Sequence, residues 1–352
     1  MKAYLILENG AVFEGESFGA AGEASGEVVF TTGMHGYLET LTDPSYSGHI
    51  VVQTFPLIGN YGVIPADFEA GFIGAKAYIV KYPCQTPSNF RSDGVLGTFL
   101  CERGVVGLAG IDTRQLTKIL RDNGVMNGKI MMTPPTPADA PAPGTIKNAV
   151  AGVSGKEPTV VGNGDLDLVL LDYGAKKSIA EKLASRGARV QVLPYNTPAD
   201  KILAMSPKGI MLSNGPGDPS EDANAPLVET IKTLMESNIP IFGICLGHQL
   251  MALAQGYKTR KMKFGHRGSN QPVKDLASGR FFITSQNHGY EVATEPNDPR
   301  LSFVNVNDKT CEGLDFGRHF SVQFHPEACG GPLDTEFLFD KFIERVKAYA
   351  AE

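Results

Sequence analysis

The chain is 352 residues long, of which 42% are hydrophobic and 20% are charged. These proportions are typical of a globular protein and exclude a disordered or fibrous chain. The formal charge of −6 argues against nucleic acid or an anionic membrane as the main partner, because both reward a basic surface. At ~150 residues per domain, the length predicts roughly two domains.

The N-terminal residues lack the long apolar region and small-residue cleavage site of a signal peptide. No stretch approaches the ~18 consecutive apolar residues of a membrane span, so we expect a cytoplasmic protein that does not contact a membrane. The cysteines have neither CxxC nor CxxH spacing, and the sequence therefore indicates no disulfide framework and no metal site. We expect free thiols at Cys84, Cys101, Cys245, Cys311 and Cys329.

Residues 1–132 are predicted to form a compact, β-rich α+β domain. The strand-like runs are residues 3–7 and 11–17, which indicate a hairpin, then 26–32, 49–55 and a further pair within 71–80. A helix is predicted over residues 113–123, because Asp112 or Thr113 can cap its start and Gly124 can end it.

Residues 133–165 differ from the rest in composition and contain six of the 23 prolines. Proline and glycine at this density disfavour helix interiors and sheet centres, so we predict a linker with at most a short helix. Residues 166–352 then alternate strand and helix. The near-continuous apolar run 167–173 is typical of a strand buried on both faces. This order predicts an α/β domain with a mostly parallel, doubly wound sheet and helices on both sides.

The strongest chemical signal is a cysteine between a strand and a helix. In IPIFGICLGHQLMALA, a buried strand passes through Gly243 and Cys245 directly into a helix. Cysteine here replaces the serine of a nucleophile elbow, a strained turn at the carboxyl edge of a sheet. The helix N-terminus favours the nucleophilic thiolate, and the backbone N–H of Leu246 is expected to face an oxyanion. The alternative is a buried core cysteine, for which the glycines at 243 and 247 would have no packing purpose.

A reactive cysteine needs a base, and His325 is the best candidate. The run HFSVQFHPE alternates like a strand, which would place His325 and Glu327 on the same side. A carboxylate beside an imidazole fixes its tautomer and supports its protonated form. His248 lies one turn beyond the cysteine and is interpreted as structural or as a backbone partner. His266 and His288 are assigned to glycine-containing loops that border the site, as solvated side chains.

A third element, LSNGPGDPSE, follows the strand-like run GIMLS. Gly215 and Gly217 form a rigid loop with Pro216, and its amides can approach a ligand closely. The loop lies at the carboxyl end of a strand, where open α/β sheets bind ligands. The lysine of a phosphate-binding loop is absent, and no GxGxxG motif opens a helix, so no nucleotide-binding motif is indicated.

Taken in order, SNGPGDP, GICLGHQ and QFHPE resemble the motifs of the class I (triad) glutamine amidotransferases, over about residues 166–350. The resemblance implies that Cys245 attacks the side-chain amide of glutamine, that His325 acts as general base and then acid, and that Glu327 orients His325. It further implies that a thioester forms, ammonia leaves and water releases glutamate.

The chain as a whole also resembles the family of carbamoyl-phosphate synthetase small subunits. The matching segments are residues 26–63, 109–124, 263–273 and 285–292, so the resemblance spans nearly the whole chain. It implies a large subunit as partner, in a pair of one small and one large chain. The large subunit would bind ATP and its metal ion and combine ammonia with bicarbonate into carbamoyl phosphate, for arginine and pyrimidine synthesis. No cofactor is expected in this chain.

The resemblance also implies which residues bind glutamine. Ser45, in DPSY, matches a serine that reaches the substrate from the N-terminal domain. The other matching positions are Gly215, Gly217, Leu246, Gln249, Asn287, Gly289 and Tyr290. Phenylalanine is common where Tyr290 stands. The segment GHRG departs from the more usual GHHG, so no role is assigned to the position of that second histidine.

Three alternatives compete with this assignment. A glutaminase subunit for anthranilate, aminodeoxychorismate or guanylate synthesis would have the same triad but would lack the first domain. A γ-glutamyl hydrolase or cysteine peptidase would need no docking domain. A catalytically silent interaction subunit would not need Cys245, His325 and Glu327 together.

Overall fold

The computed structural model describes every residue from Met1 to Glu352. The chain divides into two compact units, Met1–Ile146 and Lys147–Glu352. The predicted α/β fold class is confirmed, because both units combine helices with sheets. None of the helices is both long enough and apolar enough to cross a membrane.

The first unit contains nine strands and three helices. The strands are β1 (Lys2–Leu7), β2 (Val12–Gly19), β3 (Ala24–Thr31), β4 (His49–Gln53), β5 (Leu57–Ile58), β6 (Ala77–Val80), β7 (Tyr82–Pro83), β8 (Val106–Ala109) and β9 (Met126–Met131). The helices are α1 (Tyr37–Thr42), α2 (Leu96–Glu102) and α3 (Thr113–Asn123). Seven strands close into a barrel in the order β1-β2-β8-β6-β4-β3-β9, while β5 pairs with β7.

Local signals in this unit explain most of its elements. Strands β1 and β2 form the expected antiparallel hairpin, and α3 has the predicted limits, with the Asp112 side chain accepting the backbone N–H of Gln115 at 2.9 Å. The predicted pair of strands within residues 71–80 is wrong, because only β6 forms there. A Cβ atom at Gly74 would lie 2.5 Å from the carbonyl oxygen of Asp43. That glycine therefore serves a close backbone approach in a loop.

The second unit contains ten strands and six helices. The strands are β10 (Thr159–Val161), β11 (Leu166–Asp172), β12 (Ala188–Pro194), β13 (Gly209–Leu212), β14 (Ile241–Ile244), β15 (Lys258–Asp275), β16 (Phe281–Ala293), β17 (Leu301–Asn305), β18 (Cys311–Phe316) and β19 (His319–Val322). The helices are α4 (Ala149–Val153), α5 (Lys177–Ala184), α6 (Ala199–Ala204), α7 (Ala225–Glu236), α8 (Leu246–Ala254) and α9 (Phe337–Ala350).

All ten strands join one sheet, in the order β10-β12-β11-β13-β14-β19-β18-β17-β15-β16. The five strands from β12 to β19 are mutually parallel, and an antiparallel arm extends the sheet from β18 to β16. Alternate residues of β11 enter different cores. Leu168 and Leu170 pack with α5 and α9, whereas Val169 and Leu171 pack with α6, α7 and α8. Helices therefore cover both faces of the parallel part, as its apolar strands require.

The segment predicted as a linker contains more structure than expected. It includes α4 as its short helix, but it also includes β10, which pairs antiparallel with β12 at the edge of the sheet. Three residues, Thr159-Val160-Val161, are enough because an edge strand needs a partner on one side only.

Candidate active site

Cys245 occupies a strained turn between β14 and α8. Its φ of 53° and ψ of −101° lie in a region that non-glycine residues rarely adopt, at a cost of about 1–3 kcal/mol. Its backbone N–H donates to the carbonyl of Val322 at 2.9 Å, which ties the turn to β19. The side chain is 2% exposed. The backbone therefore has the form of a nucleophile elbow.

The glycines beside Cys245 are there for packing, which corrects the expectation that they have no packing purpose. A Cβ atom at Gly247 would lie 2.4 Å from the carbonyl oxygen of Leu212, and one at Gly243 would lie 2.6 Å from the sulfur of Met251. Neither glycine has a positive φ. The strain of the turn is carried by Cys245 itself, and the glycines let α8 approach β13 and β14.

His325 and Glu327 form a buried pair beside the end of β19. His325 Nδ1 lies 2.6 Å from Glu327 Oε1, and the two side chains are 1% and 0% exposed. The prediction that they are neighbours is confirmed, but its reason is wrong, because β19 ends at Val322 and both residues lie in the turn that follows. His325 Nε2 is buried and makes no hydrogen bond.

Lys176 is the member of this cluster that the sequence analysis missed. Its Nζ lies 3.2 Å from His325 Nδ1 and 3.3 Å from Glu327 Oε1. Lys176 immediately precedes α5, in the connection that follows β11. A lysine after a strand is usually solvated, so composition offers no signal. The available signal is topological, because β11, β13, β14 and β19 are parallel and their carboxyl ends share one edge.

In this cluster, burial and the neighbouring charges shift the pKa values of His325 and Glu327 in opposite directions. Burial and the positive charge of Lys176 lower the pKa of His325, but the charges of Glu327 and Cys245 outweigh both and raise it above its usual value. Burial raises the pKa of Glu327, but the charges of His325 and Lys176 outweigh it and hold that pKa below its usual range. The arrangement therefore favours an imidazolium next to a carboxylate on one side and the sulfur on the other.

Strand β16 lies opposite the sulfur of Cys245 and forms one wall of the site. Cys245 Sγ lies 3.7 Å from the carbonyl oxygen of Asn287. The carbonyl oxygen of Tyr290 accepts the side-chain amide of Gln249 at 2.9 Å and lies 2.8 Å from Nδ1 of His288. At least one amide hydrogen of Gln249 therefore forms a hydrogen bond that holds α8 against β16.

The glycine loop after β13 is locked to the connection after β11. A Cβ atom at Gly215 would lie 2.3 Å from the carbonyl oxygen of Tyr173, and Gly217 has a φ of 97°. Asn214 accepts the backbone N–H of Lys176 at 3.1 Å. Both glycines are therefore required by the backbone, and the loop lies next to Leu246, whose side chain would also meet a Cβ at 215.

The remaining predicted glutamine-binding residues have separate locations. Gly289 lies on β16, where an added Cβ would meet the guanidinium of Arg267 at 3.1 Å. Ser45 lies in the first unit, in a buried turn where its backbone N–H donates to Asp43 at 2.9 Å. Its part in binding glutamine stays a prediction.

Three other histidines were assigned from the sequence. His248 is fully buried and its Nδ1 lies 2.8 Å from Ser321 Oγ, so it is structural, with a side chain rather than the backbone as partner. The assignment of His266 and His288 to solvated loops is wrong. They lie opposite each other on β15 and β16 and are buried. The long antiparallel pairing of these strands absorbs the glycines through irregularities in register.

Comparison with known proteins defines the class of the second unit. A family model described as "Glutamine amidotransferase class-I" matches residues 169–345, so the chain is a class-I glutamine amidotransferase. A solved glutamine amidotransferase from Thermotoga maritima aligns with 54% of this chain and 87% of its own, at 15% identity and a TM-score of 0.39.

The family model that matches the first unit, and relatives matched over nearly their full length, specify the family more closely. A model described as "Carbamoyl-phosphate synthase small chain, CPSase domain" matches residues 5–130. The carbamoyl phosphate synthase small chain of Clostridium perfringens is 49% identical, covering 98% of this chain and 99% of the relative. The pyrimidine-specific small chain of Bacillus subtilis is 46% identical over 100% and 98%. The chain belongs to the carbamoyl phosphate synthase small chain family, as its motifs predicted.

Proposed function

We propose that this chain hydrolyses glutamine at Cys245 and delivers the ammonia to a large carbamoyl-phosphate synthetase subunit. The observation that carries the proposal is the common location of three groups at one edge of the sheet. Cys245 stands in a strained elbow, and the buried pair of His325 and Glu327 is close enough to the sulfur for the charge of Cys245 to raise the pKa of His325.

The proposed reaction uses a thiolate and an imidazolium. The Cys245 thiolate attacks the side-chain carbonyl carbon of glutamine, and the backbone N–H of Leu246 donates to the oxyanion that develops. His325 gives its Nε2 proton to the nitrogen as the carbon–nitrogen bond breaks, which leaves ammonia and a thioester. Neutral His325 then takes a proton from water, the hydroxide attacks the thioester, and the thiolate leaves as glutamate forms. Glu327 holds the imidazole in place throughout.

Substrate binding is assigned from the matching motifs. Glutamine would lie against the loop of Gly215 and Gly217 and against β16, with the remaining positions of the set contributing as the resemblance implies: Ser45, Leu246, Gln249, Asn287, Gly289 and Tyr290. The tight backbone approach at Gly215 and the carbonyl of Asn287 facing the sulfur support the loop and the strand as walls. Each role is a proposal about contacts with a substrate.

The acceptor of ammonia is proposed from the family to which the chain belongs. Ammonia in neutral water is mostly protonated, and ammonium cannot attack an activated carboxyl carbon. A glutaminase that belongs to a biosynthetic enzyme therefore needs a partner that receives ammonia directly. We propose a large subunit that uses ATP, its metal ion and bicarbonate to make carbamoyl phosphate, supplying arginine and pyrimidine synthesis.

The test is the Cys245→Ser variant in complex with the large subunit. We expect glutamine-dependent synthesis to be lost, because a serine hydroxyl has no accessible anionic form here. Synthesis from added ammonium should remain, since that chemistry belongs to the partner. Cys101→Ser, at an exposed cysteine of the first unit, is the control and should keep both activities. Normal glutamine-dependent synthesis by Cys245→Ser would refute the assignment.

A further inference from the structure

Three buried side chains converge next to the active-site wall. His266 and His288 lie opposite each other on β15 and β16, with ring centroids 5.0 Å apart. Glu312, on β18, is the third. One ring nitrogen from each histidine and one carboxylate oxygen all lie within 4.8 Å of one another. Neither histidine nor this glutamate has a part in the proposed hydrolysis.

Each imidazole has one ring nitrogen next to a carboxylate or a backbone carbonyl oxygen. His266 Nε2 lies 2.8 Å from Asp308 Oδ2. Its Nδ1 is buried, makes no hydrogen bond, and lies 3.4 Å from Glu312 Oε1. His288 Nδ1 lies 2.8 Å from the carbonyl oxygen of Tyr290. A carboxylate or backbone carbonyl on the outer nitrogen is the usual way in which proteins orient metal-binding histidines.

Each ring nitrogen of His288 faces an oxygen acceptor, and one of these two contacts has no proton to form a hydrogen bond. The Gln286 amide nitrogen donates to Glu312 Oε2 at 3.0 Å and to Thr284 Oγ1 at 3.1 Å, which directs its Oε1 to His288 Nε2 at 2.9 Å. His288 Nδ1 already faces the carbonyl of Tyr290, so both ring nitrogens face acceptors. A neutral imidazole has only one proton to donate. A cation shared by Nε2 and Oε1 would satisfy both atoms.

The charge of the cluster also suits a cation. Glu312 is completely buried, and Asp308 adds a second carboxylate. The guanidinium of Arg267, which lies 3.1 Å from the position of a Cβ added at Gly289, opposes a cation, but the two carboxylates outnumber it.

We propose that this cluster binds one divalent transition-metal ion of the zinc class. The ligands are His266 Nδ1, one nitrogen of His288 and a carboxylate oxygen of Glu312, with Gln286 Oε1 beside them. Two imidazoles and one carboxylate form a donor set that Zn²⁺ readily accepts. The ion would fix β16 one residue from Asn287, whose carbonyl faces Cys245. This departs from the expectation of no metal site, because the ligands come from three strands and no short motif contains them.

The experiment measures Zn²⁺ binding by the full chain after dialysis against a chelator, by calorimetry and by competition with a chelating dye. The parent protein carries Cys245→Ser, since a reactive thiolate would itself bind zinc. We expect one tightly bound ion per chain. Adding Glu312→Gln should weaken binding by at least ~100-fold, because a metal ligand is lost. Adding Asp308→Asn, at a side chain that is 42% exposed, should weaken it by about 10–100-fold.

Glu27→Gln is the matched control. Glu27 is also a buried glutamate beside a histidine, His49, but it lies in the barrel of the first unit. Zinc affinity should be unchanged in this variant. Co²⁺ bound to the parent should show the spectrum of nitrogen and oxygen ligands without sulfur-to-metal charge transfer. The proposal is overturned if the parent binds no zinc at micromolar concentration. It is equally overturned if Glu312→Gln and Asp308→Asn both bind as tightly as the parent.

Discussion

Lys176→Met removes a positive charge from the buried cluster without shortening the side chain much. Lys176 Nζ lies 3.2 Å from His325 Nδ1, so its repulsion of an imidazolium is about 1.3 kcal/mol in the dielectric of water and about 5 kcal/mol at an effective dielectric constant of 20. At 1.36 kcal/mol per pKa unit, the pKa of His325 should rise by at least about 1. Lys176 Nζ is almost as close to Glu327 Oε1, at 3.3 Å. Its repulsion of the imidazolium and its attraction for the carboxylate therefore nearly cancel, so removing Lys176 changes the energy of the ionised His325–Glu327 pair little.

The step that reveals this change is hydrolysis of the thioester. While Cys245 is acylated, His325 must be neutral to take a proton from water, so the rate rises as pH passes the pKa of His325. Removing Lys176 raises that pKa, and the acidic limb of the profile should therefore move to higher pH by at least about 1. At pH values below the pKa of His325, thioester hydrolysis should be at least about 10-fold slower in Lys176→Met than in the unmodified chain.

The measurement is rapid-quench decay of the glutamyl thioester across pH. Lys177→Met is the matched control, because Lys177 is the next residue in the chain and is exposed on α5. Its profile should coincide with that of the unmodified chain. An acidic limb that stays in place in Lys176→Met, or that moves to lower pH, would refute the electrostatic role given to Lys176.

Three further predictions concern the same edge of the sheet. His325→Asn should reduce glutamine turnover far more than Glu327→Gln, because the imidazole moves protons and the carboxylate positions it; equal, negligible losses in steady-state assays would show that another base operates. Gly247→Ala should lower the free energy of unfolding by about 1–3 kcal/mol in denaturant titrations, since its Cβ would lie 2.4 Å from the Leu212 carbonyl oxygen. Gly152→Ala, with open space around it, is the control, and equal stability of both variants would contradict the packing argument. Glutamine hydrolysis should be slow for the chain alone and faster with its partner plus ATP and bicarbonate; identical rates for the chain alone, with its partner, and with its partner plus ATP and bicarbonate would exclude coupling.

The sequence predicts the parallel strands of the second unit well because each depends on local signals. Residues 168–171 are all apolar because β11 has a core on each face. The turn at Cys245 is indicated by the position of this cysteine between a strand and a helix. The proximity of His325 and Glu327 is also predicted locally, because the two residues are only two positions apart in the chain. Such features need no knowledge of distant contacts.

Long-range features were beyond the same reasoning. Lys176 is distinguished from an ordinary surface lysine only by the arrival of β19 beside β14, which brings His325 to it. The prediction of loops at His266 and His288 is wrong because glycine usually indicates a loop, whereas β15 and β16 accommodate their glycines as irregularities in a long ladder. Gly74 and Gly247 are glycines because other segments pass close to them, and those segments are distant in the chain.

The two parts of the second sheet contribute different things to the active site. The parallel strands bring Cys245, His325 and Lys176 to one edge, which is a general property of the architecture. The carbonyl of Asn287 that faces the sulfur comes instead from the last strand of the antiparallel arm. Gln249 of α8 joins the two parts, because it donates both to the Tyr290 carbonyl and to Gln323 Oε1 at 2.9 Å.

This division makes the spacing between the Cys245 sulfur and β16 depend on the contacts that join β16 to the parallel part. These include the backbone N–H of His325, which donates to the Ser285 carbonyl at 2.9 Å, and the side-chain amide of Gln249. A displacement of ~1 Å between reacting groups can cost on the order of 100-fold in rate. Contacts that hold β16 should therefore influence turnover even though they touch no substrate. The Gln249 amide and the cluster of His266, His288 and Glu312 are two such contacts. The metal ion proposed for that cluster would act on the reaction through this spacing and not through the chemistry at Cys245.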